Sequence, residues 1–306
     1  MSLFNGKVIL ITGAASGIGL ATARNPPLQA PLPPIPPTQT PPNPHTQTDL
    51  LAKRAATLSL ADINEPALSQ TERSIRATYP SVQILSYIVD VREEEQVRKW
   101  VELSMRVFGR IDGAANMAGV IGPSIGLKPL THQSIPEWTH ILSINLTGLM
   151  LCLKHQLRHM CAGGSIVNAS SIAGLQGRRN NAAYSTSKHA VLGLTRSAAK
   201  ESGPRNIRVN AICPGYIKTP MNAASHAIAA SASTTSPNPP SNTPSTSVSA
   251  SASVIDPRTR ESEALSVALG RSGQAGEVAE LICYLLGEGA SFMTGNAVSV
   301  DGGWNC

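Results

Sequence analysis

Short apolar runs alternate with amphipathic stretches along most of the chain, and this alternation leaves few folds open. The runs fall at 8–11, 58–61, 84–88, 111–115, 165–168, 207–211 and 296–300. Helical periodicity separates them at 94–107, 136–160, 182–202 and 276–286. Strands that are apolar throughout are buried on both faces, and strands joined by crossover helices pair in parallel. The expected fold is therefore α/β: one domain over residues 1–306, built on a doubly wound, parallel seven-stranded sheet with helices on both faces.

Two stretches break the pattern. Of 23 prolines, ten lie in 25–49 and four in 231–253, leaving nine for the rest of the chain. With Pro26-Pro27, Pro33-Pro34, Pro36-Pro37 and Pro41-Pro42, the first stretch cannot be helix interior or central strand. It reads as a polyproline-II-like or disordered excursion, and its Pro-x-x-Pro spacings follow from composition alone. Joining Arg24 to Leu50 restores an uninterrupted amphipathic helix, so 25–49 has the character of an insert in that helix. The second stretch holds nine Ser, four Thr and no charge, and has too little apolar surface to order itself.

Composition removes several function classes. The net charge of +6 comes from Lys and Arg spread along the chain, which describes a solvated surface better than a nucleic-acid patch. Aromatic residues make up 4%, too few for a base-stacking platform. No window approaches the roughly 18 uncharged apolar residues of a membrane span. Residues 1–8 lack the basic-then-apolar layout of a signal peptide, so no membrane partner and a cytoplasmic address are expected. Five cysteines form no Cys-x-x-Cys pair and have no His at metal spacing, which reads as reduced, mostly buried thiols and no metal.

The first strand runs into Thr12-Gly13-Ala14-Ala15-Ser16-Gly17-Ile18-Gly19, which opens the first helix. Gly13, Gly17 and Gly19 permit a sharp turn, and the turn can present amides, with Ala15, Ser16 and Ile18, to a pyrophosphate at a helix N-terminus. A purely structural turn is the bland alternative; the strand before and helix after favour a Rossmann-like dinucleotide site. Asp62 ends the second strand, 49 positions after Gly13 but 24 once 25–49 is discounted. The usual spacing is about 20 for an acid that binds the adenosine ribose, and a carboxylate there repels a 2′-phosphate. NAD is thus favoured, with NADP the alternative. Asp90, followed by Val91, ends the third strand and suits either the adenine amino group or a helix N-cap.

Tyr184-Ser185-Thr186-Ser187-Lys188 sets a phenol and an ammonium one helical turn apart on one face. A neighbouring cation favours phenolate, which lowers a tyrosine pKa from about 10 and makes Tyr184 a general acid or base. Asn168-Ala169-Ser170-Ser171 ends the fifth strand, where ligands of open α/β sheets sit, and a hydroxyl there can hold a substrate oxygen beside the phenol. Helix capping is the alternative for either serine.

Taken together, the Gly-rich turn, Asn116-Met117-Ala118-Gly119, Asn145, Ser171, Tyr184, Lys188 and Pro214-Gly215 resemble the short-chain dehydrogenase/reductase family over nearly the whole chain. The resemblance implies Tyr184 as proton donor and acceptor, and Ser171, 13 residues before it, as polariser of the substrate oxygen. Lys188 would bind the nicotinamide ribose and lower the tyrosine pKa. Asn145 would hold a water in a proton relay from Lys188. Asn116 would steady the sheet and contact adenosine, with Met117 departing from the family's second Asn and costing one hydrogen bond. Ala118 and Gly119 belong to the same element, Pro214 and Gly215 follow the sixth strand, the Ile217 amide would meet the carboxamide, and Thr219 would contact cofactor.

The expectation is an NAD(H)-dependent oxidoreductase interconverting a secondary alcohol and a ketone, small-molecule partners that exclude nucleic acid. An NADPH-preferring ketoreductase and a dinucleotide-binding protein whose turnover the inserts impair are the competing readings. The pocket is expected at 120–127, 175–181 and 220–270, where Arg178 and Arg179 read as solvated loop positions rather than substrate contacts. The resemblance implies a homodimer or homotetramer, paired through the helices holding Asn145 and Tyr184.

Overall fold

Alternate residues of the first strand serve opposite faces of the sheet. In β1 (Val8–Thr12), Ile9 and Ile11 pack into one apolar cluster while Val8 and Leu10 pack into a second. The split recurs in β2 (Thr57–Asp62), with Leu58 and Leu60 against Ala61, and in β5 (Ser165–Ala169), with Val167 against Ile166. Such strands need cover on both sides. The computed structural model describes residues 4–23, 50–53, 56–233 and 267–306. The stretch 25–49 and, beyond Ser233, the stretch 231–253 lie outside the described residues.

Seven parallel strands form the main sheet. With β3 (Ile84–Ile88), β4 (Gly113–Asn116), β6 (Arg208–Pro214) and β9 (Ala297–Val300), their order is β3-β2-β1-β4-β5-β6-β9. The chain winds outward from β1 to one edge, returns to β4 and winds outward to the other, which leaves a crevice at the carboxyl ends of β1 and β4. A separate parallel pair, β7 (Ile217–Lys218) with β8 (Gly273–Gln274), has no counterpart in the sequence pattern.

One face is covered by α1 (Gly17–Ala23), α2 (Leu50–Lys53), α3 (Glu65–Thr78) and α9 (Ala275–Leu286). The other is covered by α4 (Glu94–Phe108), α6 (Leu149–His159) and α7 (Ala182–Ser202). The helical segments flanking 25–49, α1 and α2, touch each other and α9, with Ala23, Leu51 and Ala52 buried in one cluster. Under α4 the buried polar groups are matched to one another: Trp100 donates its indole N–H to Ser59 Oγ at 2.8 Å, and Ser59 and Ser104 share a hydrogen bond of 2.7 Å. An unmatched buried hydroxyl would cost about 1–3 kcal/mol.

One helical expectation needs correction, and two helices lie outside the pattern. The helix α3 has no place in the periodicity because it buries only Leu68, Thr71 and Ile75, one of them polar. The helix expected over 136–160 is interrupted: α5 (Ile135–Leu142) passes into a π-helical segment, Ser143–Gly148, before α6. The wide turn matters because it carries Asn145, and such turns recur at functional sites. A further helix, α8 (Pro220–Ser233), runs three residues into the Ser-rich stretch.

Candidate active site

The Gly-rich turn is fitted into the crevice by steric necessity. Gly13 has φ +68, and a Cβ on it would stand 2.9 Å from the Ala118 nitrogen and from the Met117 carbonyl carbon. A Cβ on Gly19 would stand 2.1 Å from the Gly13 carbonyl oxygen. Thr12 Oγ1 ties β1 to β4 by accepting from the amides of Met117 at 3.1 Å and Ala118 at 3.2 Å. Asp62 Oδ2 accepts the Ala15 amide at 3.0 Å, so the carboxylate expected at the adenosine ribose also fastens the Gly-rich turn. Met117 thus has its amide satisfied, and its side chain packs against one apolar cluster.

Two nucleotide-side expectations change. Asp90 is not an N-cap: Glu93 holds that place on α4, and Arg92 Nε donates to both Asp90 oxygens at 2.9 and 3.0 Å. That guanidinium holds the Asp90 carboxyl below its ordinary pKa, against an opposing effect of burial. Asn116 is buried and its side chain looks inward. Its Nδ2 donates to Gln156 Oε1 and Asn168 Oδ1, both at 3.0 Å, and its Oδ1 accepts from Gln156 Nε2 at 2.8 Å. It braces β4, β5 and α6, and with both donors used it has none left for adenosine. Val91 packs its side chain against Gly148 in the π-helical segment.

At the other end, α7 presents Tyr184 and Lys188 one turn apart, with the ammonium 5.5 Å from the phenol ring centroid. Lys188 is 4% exposed and donates to the Ala169 carbonyl at 2.8 Å. Burial pushes its pKa down to about 8. The Tyr184 phenol is shifted upward, not downward as the spacing suggested: burial dominates, opposed by its hydrogen bond with the Ser171 hydroxyl and by the charge of Arg178. Desolvation of a phenolate outweighs that hydrogen bond and that charge.

The two serines divide their work. Ser170 donates its hydroxyl to the Lys188 carbonyl at 2.8 Å and is buried, so it anchors α7 to the end of β5. Ser171 pairs with Tyr184 and also caps the short turn Ile172–Gly174 by accepting the Ala173 amide at 3.2 Å. Asn145 is 2% exposed. Its side chain brackets Val120, accepting its amide at 2.8 Å and donating to its carbonyl at 3.0 Å, and donates to Ser187 Oγ at 3.1 Å. A Cβ on Gly119 would lie 3.2 Å from Asn145 Oδ1 and 3.4 Å from Lys188 Nζ, so the two converge on that glycine.

A cleft of about 910 Å³ unites much of this set. Ile18, Gly119, Ser171, Tyr184, Lys188, Pro214, Gly215, Ile217 and Thr219 all line it. Gly17 borders it, since a Cβ there would lie 3.6 Å from Thr219 Cγ2. Gly13, Ala15, Ser16 and Gly19 form the turn behind Ile18, while Asp62, Asp90, Val91, Asn116 and Ala118 stand outside the lining. Tyr216 and Trp304 join the wall without having been anticipated. Their rings stack with centroids 6.4 Å apart, and Tyr216 Oη shares a hydrogen bond of 2.9 Å with His226 Nε2 on α8. Arg178 is half-buried with its guanidinium 4.9 Å from the Trp304 ring, which corrects its reading as a solvated loop residue; Arg179 is exposed. Among the described residues no cluster of three His, Cys, Asp or Glu could hold a metal, and no helix is long and apolar enough to cross a membrane.

A family model described as Enoyl-(Acyl carrier protein) reductase matches residues 46–246 and 240–305. Short-chain dehydrogenase/reductase aba4 of Botryotinia fuckeliana (strain B05.10) is 42% identical over 304 residues, covering 99% of this chain and 98% of its own. Levodione reductase of Leifsonia aquatica is 33% identical over 303 residues, covering 98% of this chain and 94% of its own. Among solved structures, NAD+-bound xylitol dehydrogenase is similar at a TM-score of 0.78 and 34% identity, covering 98% of this chain and 99% of that one. With the ordered motif set, the parallel sheet and these matches in agreement, the chain belongs to the short-chain dehydrogenase/reductase family.

Proposed function

We propose that the protein interconverts a secondary alcohol and a ketone with NAD(H), using Tyr184 as proton donor and acceptor. One observation carries this reading: Tyr184, Ser171 and Lys188 open into the same cleft as Ile18 and Thr219, which border the Gly-rich turn. The residues suit a dinucleotide. The turn is a cradle that a Cβ at Gly13 or Gly19 would fill, and Asp62 sits against it through Ala15, where its charge disfavours a 2′-phosphate. Asp90, Val91, Ala118, Gly119, Pro214, Gly215, Ile217 and Thr219 complete the proposed path. NAD(H), when bound, supplies the hydride donor or acceptor.

The protein's own groups handle the proton and the charge. With its pKa raised, the Tyr184 phenol is protonated at neutral pH and poised to donate to a ketone oxygen. The Ser171 hydroxyl beside it steadies the oxyanion as charge develops. Lys188 remains mostly protonated at neutral pH, so its ammonium stabilises a forming phenolate and meets the ribose hydroxyls. Asn145 holds the Val120 backbone beside that ammonium and supports a water through which Lys188 exchanges protons. Copies pair through the helices carrying Asn145 and Tyr184, which sedimentation measurements test.

The deciding experiment follows NAD+ and NADP+ reduction with a panel of secondary alcohols. Turnover with NAD+ that collapses in Tyr184→Phe, while NADH binding persists, supports the proposal. Equal rates in wild type and variant remove Tyr184 from the chemistry, and a large NADP+ preference removes Asp62 as the selector.

A further inference from the structure

One wall of the cleft is a loop, the stretch 120–127, yet it is tied down along its length. Asn145 brackets Val120 at its start. Near its end, the Gly126 amide donates to the Asn180 carbonyl at 2.8 Å, and Asn180 Nδ2 donates back to the Gly126 carbonyl at 3.3 Å. Between these points the Glu137 carboxylate takes both donors of Ser124, the amide on Oε1 at 2.9 Å and the hydroxyl on Oε2 at 2.6 Å. Ser124 is buried, and its carbonyl in turn accepts the amides of Leu127 at 3.0 Å and Lys128 at 3.3 Å. Ile121, Ile125 and Leu127 line the cleft on either side of it, whereas Ser124 and Glu137 do not.

Glu137 stands in the first turn of α5, where Ser134-Ile135-Pro136-Glu137 has the spacing of a capping box. The Ser134 side chain makes no capping bond, and the acid reaches across to the loop instead. Loop and acid are in direct contact: a Cβ on Gly122 would stand 2.0 Å from Glu137 Oε1 and 2.8 Å from Ile141 Cδ1. Because α5 runs on into the π-helical segment with Asn145, one continuous piece of chain holds both Val120 and Ser124.

We infer that Glu137 is a positioning residue for substrate: through Ser124 it fixes the loop that carries Ile121, Ile125 and Leu127, and so sets how tightly the cleft holds the carbon body of an alcohol or ketone. This rests on the alcohol/ketone reading above. Hydrogen bonds to a charged acceptor are stronger than neutral ones, and two of them to one residue fix its orientation as well as its place. Without them the loop has to be ordered as the ligand binds, and that cost lowers affinity. Tyr184 and Lys188 stand on α7 and Ser171 follows β5, so the proton-transfer groups are held without Glu137. The effect therefore falls on binding, not on the rate of the bound complex.

The test separates binding from turnover. Cyclohexanol, which cannot react with the reduced cofactor, is titrated calorimetrically into the protein saturated with NADH, while reduction of cyclohexanone by NADH is followed in parallel. Glu137→Ala is expected to weaken cyclohexanol binding and to raise the cyclohexanone KM by about tenfold, the scale of a lost hydrogen bond to a charged group, with kcat and NADH affinity within about twofold of wild type. Glu137→Gln keeps an acceptor for the Ser124 amide and should recover most of the loss. Adding Ser124→Ala to Glu137→Ala should change little further, because the two residues share one contact. Hydrogen exchange in 119–128 should quicken in Glu137→Ala while α7 exchanges as before. Cyclohexanol affinity that is the same in wild type and Glu137→Ala, or absent from both, overturns the inference. So does a fall in kcat and NADH affinity with faster exchange in α7, which would make Glu137 a support of the fold alone. Cyclohexanone reduced with equal KM by both proteins overturns it and leaves the enzyme reading standing. Glu137-dependent cyclohexanol binding without any reduction supports this inference and counts against that reading.

Discussion

Replacing Lys188 by Met should make the protein more stable and less active, and the size of the gain follows from where the ammonium lies. Lys188 is buried, and burial lowers its pKa from the ordinary 10.5 to about 8. At 1.36 kcal/mol per unit, that displacement corresponds to about 3 kcal/mol of native-state penalty. The unfolded chain holds the proton more tightly than the native one. Below the native pKa both states are charged and the whole penalty applies. Between about 8 and 10.5 the native lysine is neutral while the unfolded one is still charged, so wild-type stability attributable to this group rises with pH.

Methionine keeps the side-chain length and removes the charge, but leaves the Ala169 carbonyl without its donor, at a cost of about 1–2 kcal/mol. The expected balance is a gain of about 1–2 kcal/mol near pH 7, read by urea unfolding without cofactor. Repeated near pH 10, the gain should vanish and turn into a small loss, because only the orphaned carbonyl remains. Groups that titrate in both proteins cancel in the comparison. A variant less stable than wild type at pH 7, or a difference that does not move with pH, would refute the assignment of a desolvated, charged Lys188. Turnover should fall in parallel, as the forming phenolate loses its counter-charge.

Other expectations follow from single contacts. Ser171→Ala should lower kcat by about 10²–10³ with little change in unfolding free energy. Ser170→Ala should do the reverse, losing about 1 kcal/mol of stability with the buried hydroxyl bond that ties β5 to the α7 backbone, so the two variants assayed side by side test the division between these neighbours. Gly19→Ala places a Cβ 2.1 Å from the Gly13 carbonyl. It should weaken NADH binding, followed by fluorescence, by at least tenfold, the consequence of about 1–3 kcal/mol of overpacking in the cradle. Asp62→Asn should raise NADP+ use relative to NAD+ by removing a repulsive charge, and unchanged selectivity would show that the Asp62 carboxylate serves the turn alone.

The sheet was legible because its strands are short, apolar on both sides and separated by helices, a pattern with few other solutions. What stayed illegible was set by contacts rather than period. In α3 a threonine takes one of three buried positions, and in Ser143–Gly148 a wide turn hides inside an unbroken helical pattern. The active site divides along the same line. Tyr184 and Lys188 are partners through helix geometry alone, so their spacing announces them. Ser171 meets them only because β5 and α7 are adjacent; the family resemblance chose it over Ser170 by its spacing to the tyrosine, while the work of Ser170, its hydroxyl on the Lys188 carbonyl, was not legible. Trp304 lies still further from local control. It reaches the cleft through the turn after β9, where Gly302 and Gly303 take φ of +66 and +82 and Asp301 Oδ1 accepts the Gly303 amide at 3.0 Å. That turn can be read from Asp301-Gly302-Gly303, but its destination depends on β9 lying beside β6 at the edge of the sheet. Groups that perform the shared chemistry thus sit where one or two elements fix them. The far wall of the cleft, with Tyr216 and Trp304, sits where distant elements meet, so its shape can change through small shifts in those meetings while the geometry set by one helix stays fixed.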